Sequence, residues 1–416
     1  MSIRLTWIRT TQKSMKTKFC FSLPLVFSIL LSVATHAQSG FSSERLTRYD
    51  AFFQQEIDQG KLPGVVTLIY KDGEKVHESA LGFSDLTSKT PIQADQILFI
   101  QSMTKPIIST AFMMLYEEGY FFLNDPISKY LPEFKDMNVV KDPEIGSSSG
   151  LEPAKSQITI AQVLSHTAGF LHGIGPTELD KEVMEAIYRS GPKTIEERVK
   201  KLASTPLASH PGEKWNYSAS PDILARLIEV FTGMSPDQFL KTRLFDPLGM
   251  KDTGYNLTEE QAKRMAQLHQ LDDSGKLIKS ERQTPTSGNT VFGGTHGLFS
   301  TASDYSLFAR MMGNGGEWNG KRYLSPKTVE IMTINQSGDL FQDPGKGFGL
   351  GFAVVDDLAD SKALSSEGTF YWSGAFSTYF FIDPKEEIVA VFMTQLNPFS
   401  NFYENKFRQM VYQATD

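Results

Sequence analysis

Ser102 and Lys105 stand three positions apart in FIQSMTKPIISTAFMMLYEEG, residues 99–119, where an apolar pattern takes on helical spacing. One helical turn would put the lysine on the face of the serine. An ammonium cannot act as a base. A lysine neutralised by burial or by a neighbouring cation can take a serine proton, and the start of a helix leaves a backbone N–H free near Ser102, where an oxyanion would form. The alternative is a capping serine with a surface lysine. A second serine, Ser148 in GSSSG, residues 146–150, has the spacing of a nucleophile elbow. That turn needs a buried strand before it and a helix after it, which MNVVKDPEI and LEPAKSQ do not supply, so Ser148 reads as flexible loop.

Three further stretches carry reactive or permissive groups. In PGEKWNYSAS, residues 211–220, a Pro-Gly turn leads to Tyr217. A buried phenol near a cation would exist partly as phenolate and shuttle protons, whereas a core tyrosine would do neither. In YWSGAF, residues 371–376, Gly374 interrupts a strand pattern. It marks either a close approach of backbone to ligand, with the Ala375 N–H as a second oxyanion donor, or a simple bulge. TSGNTVFGGTHG, residues 286–297, reads equally as a site-lining loop or a connector. His166 and His172 sit beside turn residues with no partner set by spacing, and read as structural. No histidine pair has metal-ligand spacing, so no metal is expected.

The elements that must position these groups follow from periodicity. SERLTRYDAFFQQEIDQG places Leu46, Tyr49, Phe52, Phe53 and Ile57 on one helical stripe, with Ser43 as cap and Gly60 as stop. LPGVVTLIYKDGEKVHESALGFSD reads as a hairpin turning at Asp72-Gly73. The helix after Ser102 stops at Gly119 and tolerates Pro106 in its first turn. The middle of the chain, including ITIAQVLSHTA, is mainly helical. From GFGLGFAVVDD to VFMTQ the period becomes that of antiparallel strands, with a turn at Asp383-Pro384, and NFYENKFRQMVYQ closes as an amphipathic helix. The expected fold class is α/β plus a helical lobe. Both chain ends build one antiparallel sheet around an inserted helical part, with a cleft between them.

Composition narrows the partners. Arg4, Arg9, Lys13, Lys16 and Lys18 precede an apolar core and the small-residue stretch ATHAQSG, so residues 1–37 read as an export signal cleaved near Ala37. Cleavage removes five cations and no acid, taking the formal charge from -7 to -12, and with it Cys20, the chain's single cysteine. The product would be periplasmic or secreted and free of disulfides. Its negative charge and lack of a basic cluster argue against nucleic acid, and no second long apolar run suggests a transmembrane domain. The sequence sets no oligomeric state.

Taken in order, SMTK, VLSHTAG, PGEKWNYSA, FDPLGMKDTGY, GGTHGLFSTASDYSLFARMM and WSG resemble the serine penicillin-recognising superfamily over about residues 44–405. The branch is that of class C beta-lactamases, D-alanyl-D-alanine carboxypeptidases and beta-lactamase-fold carboxylesterases. The resemblance implies a beta-lactamase/transpeptidase-like fold with segments 38–105, 106–340 and 341–416 as first α/β part, helical lobe and second α/β part. It also implies catalysis without a cofactor. Ser102 would be the acylated nucleophile, Lys105 its helical partner and Tyr217 the proton relay. Ser102 and Ala375 would supply the oxyanion amides, with Ala219, Trp372, Ser373 and Gly374 facing the substrate. Two positions depart from the lactamase pattern. Ala219 stands where an asparagine amide contacts a lactam side chain, and Trp372 stands where a lysine or histidine is usual. An indole offers stacking and one N–H but no charge. The expected function is therefore hydrolysis of carboxylic esters, with short acyl chains, through an acyl-enzyme. A beta-lactamase or D-alanyl-D-alanine carboxypeptidase is the first alternative, and a non-catalytic binder of cell-wall peptides the second.

Overall fold

The computed structural model describes residues 40–416, so the expected export signal lies outside the described residues. Helix α1 (Ser43–Asp58) buries Leu46, Tyr49, Phe53 and Ile57, and Ser42 rather than Ser43 caps it, its hydroxyl accepting from the Arg45 amide at 3.3 Å. Only the residue still in extended conformation can turn its side chain back onto the first free amides. Strands β1 (Gly64–Lys71) and β2 (Glu74–Asp85) follow, joined by Asp72 and Gly73 with φ of 52° and 78°. Two successive left-handed residues make the turn whose twist matches the paired strands. The short β3 (Thr90–Pro91) precedes helix α2 (Thr104–Glu117), where Pro106 occupies the first turn.

The central part contains short helices together with α3 (Ile195–Ala203) and α4 (Ser220–Thr232), and is followed by α5 (Ala302–Gly313). The helix expected through LSHTA ends earlier, at Leu164, because His166 adopts φ 60° and leaves the helical path. Strands β4 (Lys346–Phe348), β5 (Ala353–Val355), β6 (Phe370–Gly374), β7 (Thr378–Asp383) and β8 (Ile388–Met393) lead to the final helix α6 (Asn401–Tyr412).

One eight-stranded antiparallel sheet joins the chain ends in the order β4-β5-β6-β7-β8-β1-β2-β3. The central pairing sets Val66 opposite Met393 and Lys71 opposite Ile388. Helices cover both faces, which is why these strands read as apolar runs. Val66, Leu68, Phe380 and Val391 pack with α2 and α5, while Val65, Ile69, Phe381 and Phe392 pack with α1 and α6 through Phe53 and Phe407. Each such side chain stabilises the fold by about 1.5–3 kcal/mol relative to exposure. Among the described residues no helix is long and apolar enough to cross a membrane.

Candidate active site

The chain enters the site along residues 98–99, which pair with 299–300, and turns at Gln101, a buried residue with φ 50°. A non-glycine residue held left-handed costs about 1–2 kcal/mol and persists only where its surroundings enforce it. Here the enforcement comes from three sides. The Ile100 amide donates to the Leu298 carbonyl at 3.0 Å, the Tyr305 hydroxyl to the Met103 carbonyl at 3.0 Å, and the Thr378 hydroxyl to the Ile100 carbonyl at 3.4 Å. Ser102 follows in a tight 3₁₀ turn at the mouth of α2, so its amide has no preceding helical acceptor.

Gly374 explains itself at the same place. A Cβ there would lie 2.3 Å from both the Ile100 carbonyl oxygen and Thr378 Oγ1. The close approach is that of the serine-bearing backbone, not of a ligand or a bulge, and β6 stays regularly paired with β7 through Gly374 opposite Thr378. Ala375 comes next, exposed where β6 ends against this backbone.

Lys105, 1 % exposed, holds its Nζ 3.1 Å from Ser102 Oγ and donates to the Thr295 carbonyl at 2.9 Å. The Tyr217 hydroxyl donates to Ser102 Oγ at 2.7 Å, and its ring lies 4.5 Å from Lys105 Nζ. Burial lowers the Lys105 pKa to about 7, against the opposing pull of Asp222. Burial also pushes the Tyr217 phenol up, outweighing its hydrogen bond with Ser102, so a resting phenolate is disfavoured and the phenol is a neutral donor. The serine thus lies between a lysine that is an available base near neutrality and a tyrosine that holds a proton.

The two histidines touch Tyr217 and not Ser102. His172 stacks on the Tyr217 ring with centroids 5.2 Å apart, and His166 Nδ1 lies 2.7 Å from Ser218 Oγ. Burial, then the Lys105 charge, holds both imidazoles well below the usual histidine range. They are neutral walls that fix the phenol. Trp372 completes the enclosure, half-buried, with its ring 5.6 Å from that of Tyr217. Ser373 beside it is also half-buried. Ala219 does not line the cleft: it is fully buried, donating its amide to the Leu171 carbonyl at 3.1 Å before α4 begins. Ser148 sits exposed in a 3₁₀ turn between two short antiparallel strands, its hydroxyl donating to the Ile145 carbonyl at 3.0 Å, so the expected loop is an ordered turn without elbow geometry.

Thr295 and Asp222 escaped sequence reasoning. Fully buried Asp222 accepts from the Thr295 amide at 2.8 Å, and Thr295 in turn holds Lys105. The glycines of FGGTHG were the available signal. A Cβ on Gly293 would lie 2.8 Å from Asp222 Oδ1, and one on Gly294 only 2.0 Å from the Pro221 carbonyl oxygen. Among the described residues no group of His, Cys, Asp and Glu could hold a metal ion.

The family model described as Beta-lactamase matches residues 49–414. Esterase EstB of Burkholderia gladioli is 26% identical over 359 residues, covering 81% of this chain and 86% of its own. A Salmonella typhimurium protein with a provisional D-alanyl-D-alanine carboxypeptidase name is 29% identical over 396 residues, covering 88% and 85%. Among solved structures, EstCE1, described as a hydrolase with promiscuous acyltransferase activity, superposes with a TM-score of 0.74 at 24% identity, covering 88% of this chain and 98% of its own.

Proposed function

The chain belongs to the beta-lactamase family and is a serine-hydrolase-type enzyme for small substrates, and from that premise we propose that it is a carboxylesterase working through an acyl-enzyme on Ser102. The observation that carries this reading is the pair of contacts on one hydroxyl, Lys105 Nζ at 3.1 Å and Tyr217 at 2.7 Å. Neutral Lys105 takes the Ser102 proton as Oγ attacks the ester carbonyl. The oxyanion forms between the amides of Ser102 and Ala375. Tyr217 gives its proton to the departing alkoxide and regains one from the Ser102–Lys105 side, and water then attacks the acyl-enzyme by the reverse path. The basic and apolar residues 1–37 support an exported enzyme.

Substrate class rests on what is missing at the lactam-recognising positions. Trp372 brings an apolar wall without charge, and buried Ala219 offers no side-chain amide. The name of EstB accords with this choice. Parallel kinetics on a butyrate aryl ester and a chromogenic cephalosporin test it. We expect kcat/KM for the ester to be higher by at least about 100-fold, roughly 2.7 kcal/mol of transition-state stabilisation. Equal efficiencies would overturn the assignment. The carboxypeptidase reading has the Salmonella relative's name in its favour, and release of D-alanine from a D-alanyl-D-alanine peptide at a rate matching ester turnover would establish it instead.

A further inference from the structure

A cavity of about 340 Å³ opens beside the nucleophile, with Gln101 and His296 in its wall next to the Ser102 and Thr295 segments. Its lining includes Lys193, Arg198 and Arg282 and no aspartate or glutamate, in a chain whose formal charge is -7. Lys193 and Arg198 come from one stretch around the start of α3, and Arg282 from a distant one. Arg282 lies with its guanidinium 5.3 Å from the centre of the Phe376 ring, and Phe376 directly follows Ala375. Among the described residues neither Arg282 nor Lys193 forms an ion pair.

Arg198 is nearly buried and incompletely satisfied. Its side chain is 11% exposed, its one ion pair is a long contact of 3.5 Å to Asp222, and its Nε has no hydrogen-bond partner. Asp222 faces Arg198 with Oδ2 while its Oδ1 holds the Thr295 amide, and Glu197 accepts from the Lys193 amide at 2.7 Å. His296 in the wall is pushed down to about 3, by burial first and then by Arg198, with Asp222 opposing and Lys105 and Arg282 adding to the effect, so the ring itself is neutral. The cavity therefore sets three cations against the single buried carboxylate of Asp222, which leaves a net positive field with spare donors. A buried or half-buried guanidinium left this way is stabilised by an incoming carboxylate. The cavity's lining includes neither Trp372 nor Ser373, so an anion held here does not occupy the place where a lactam carboxylate would meet that wall.

We propose that this cavity is a specificity pocket for a carboxylate carried by the substrate, so that the preferred ester is one with a free acid group several bonds from the scissile carbonyl. The inference rests on the esterase reading and sharpens it. The cavity is within the range used for small ligands, so it suits a short acidic arm and not a polymer. One charge-assisted hydrogen bond formed in the transition state is worth at least about 10-fold in kcat/KM.

Three probes separate the possibilities: 4-nitrophenyl butyrate, 4-nitrophenyl hydrogen glutarate with its acid on the acyl side, and 4-(butyryloxy)benzoate with its acid on the alcohol side. The expected result is a kcat/KM for one anionic ester that exceeds the neutral one by at least about 10-fold at low salt, shrinking as ionic strength rises. The arm with the higher value identifies which side of the ester enters the cavity. The ratio of anionic to neutral kcat/KM should fall by at least about 10-fold in Arg282→Gln, and Lys193→Gln should lower it in the same direction. Both side chains are exposed, so neither change threatens the fold. Turnover of the butyrate with no anionic preference, or a ratio unmoved in Arg282→Gln, overturns the pocket assignment and leaves the esterase reading standing. Failure of the wild-type enzyme on all three esters overturns the esterase reading and the pocket with it.

Discussion

Lowering the pH should switch this enzyme off through Lys105 alone. Burial brings its pKa from the ordinary 10.5 to about 7. A shift of that size disfavours the ammonium by about 5 kcal/mol. The Tyr217 ring face, 4.5 Å from Nζ, opposes burial, since it attracts the charged form. That attraction is worth only about 1–2 kcal/mol, so burial wins. The working form is the neutral amine, so kcat/KM must rise with pH through about 7 and level off above it. About a tenth of the plateau should remain one unit below the midpoint, and about a hundredth two units below. Other groups around Ser102 do not titrate in this window: His166, His172 and His296 are held neutral well below it, and Tyr217 is raised above it. Initial rates on 4-nitrophenyl butyrate, corrected for spontaneous hydrolysis, give the profile, since this ester does not ionise. Asp222 raises the Lys105 pKa, so Asp222→Asn should move the limb to lower pH. A flat profile between about pH 5 and 9, or a limb that stays put in Asp222→Asn, would refute the assignment of Lys105 as base.

Two further substitutions probe the same geometry. Tyr217→Phe removes the donor 2.7 Å from Ser102 Oγ while keeping the ring between its aromatic neighbours, so kcat should fall by about 10²–10⁴-fold with KM little changed. A loss confined to KM would show that the hydroxyl only binds. Gly374→Ala drives a methyl to 2.3 Å from the Ile100 carbonyl oxygen, and the strand must shift away from the serine-bearing turn. Thermal unfolding should show a loss of about 1–3 kcal/mol, with activity falling further than stability, whereas an unchanged melting curve and rate would mean the contact is not tight.

Local chemistry was legible in the sequence wherever it depended on neighbours in the chain. The Asp72-Gly73 hairpin, the stop near Gly119 and the change from helical to strand period after residue 340 all rest on short-range sterics, and the sheet built from both ends follows from them. The spacing of Ser102 and Lys105 marked a place to look, but a capping serine with a surface lysine stayed open until the family pattern was added. Tyr217 required the family pattern, because its hydroxyl reaches Ser102 from 115 positions away. What stayed hidden was long-range and electrostatic. No local pattern tells that Thr295 bridges Asp222 to Lys105, or that Arg198 and Arg282 share a cavity. Whether Tyr217 rests as phenolate or phenol stayed open, because the answer lies in burial outweighing its hydrogen bonds, a balance that only packing decides. His166 and His172 read as structural and lie against Tyr217, but that packing was not visible, since ring stacking leaves no spacing rule.

Covalent labelling tests the central claim, that Ser102 carries the acyl group. The folded protein is incubated with a fluorophosphonate, and its intact mass and peptide map are compared with those of Ser102→Ala. One adduct per chain is expected on the peptide containing Ser102, lost in Ser102→Ala, with esterase activity falling in step with labelling. An unmodified Ser102 in folded protein, or an adduct on Ser148 in its place, would contradict the claim.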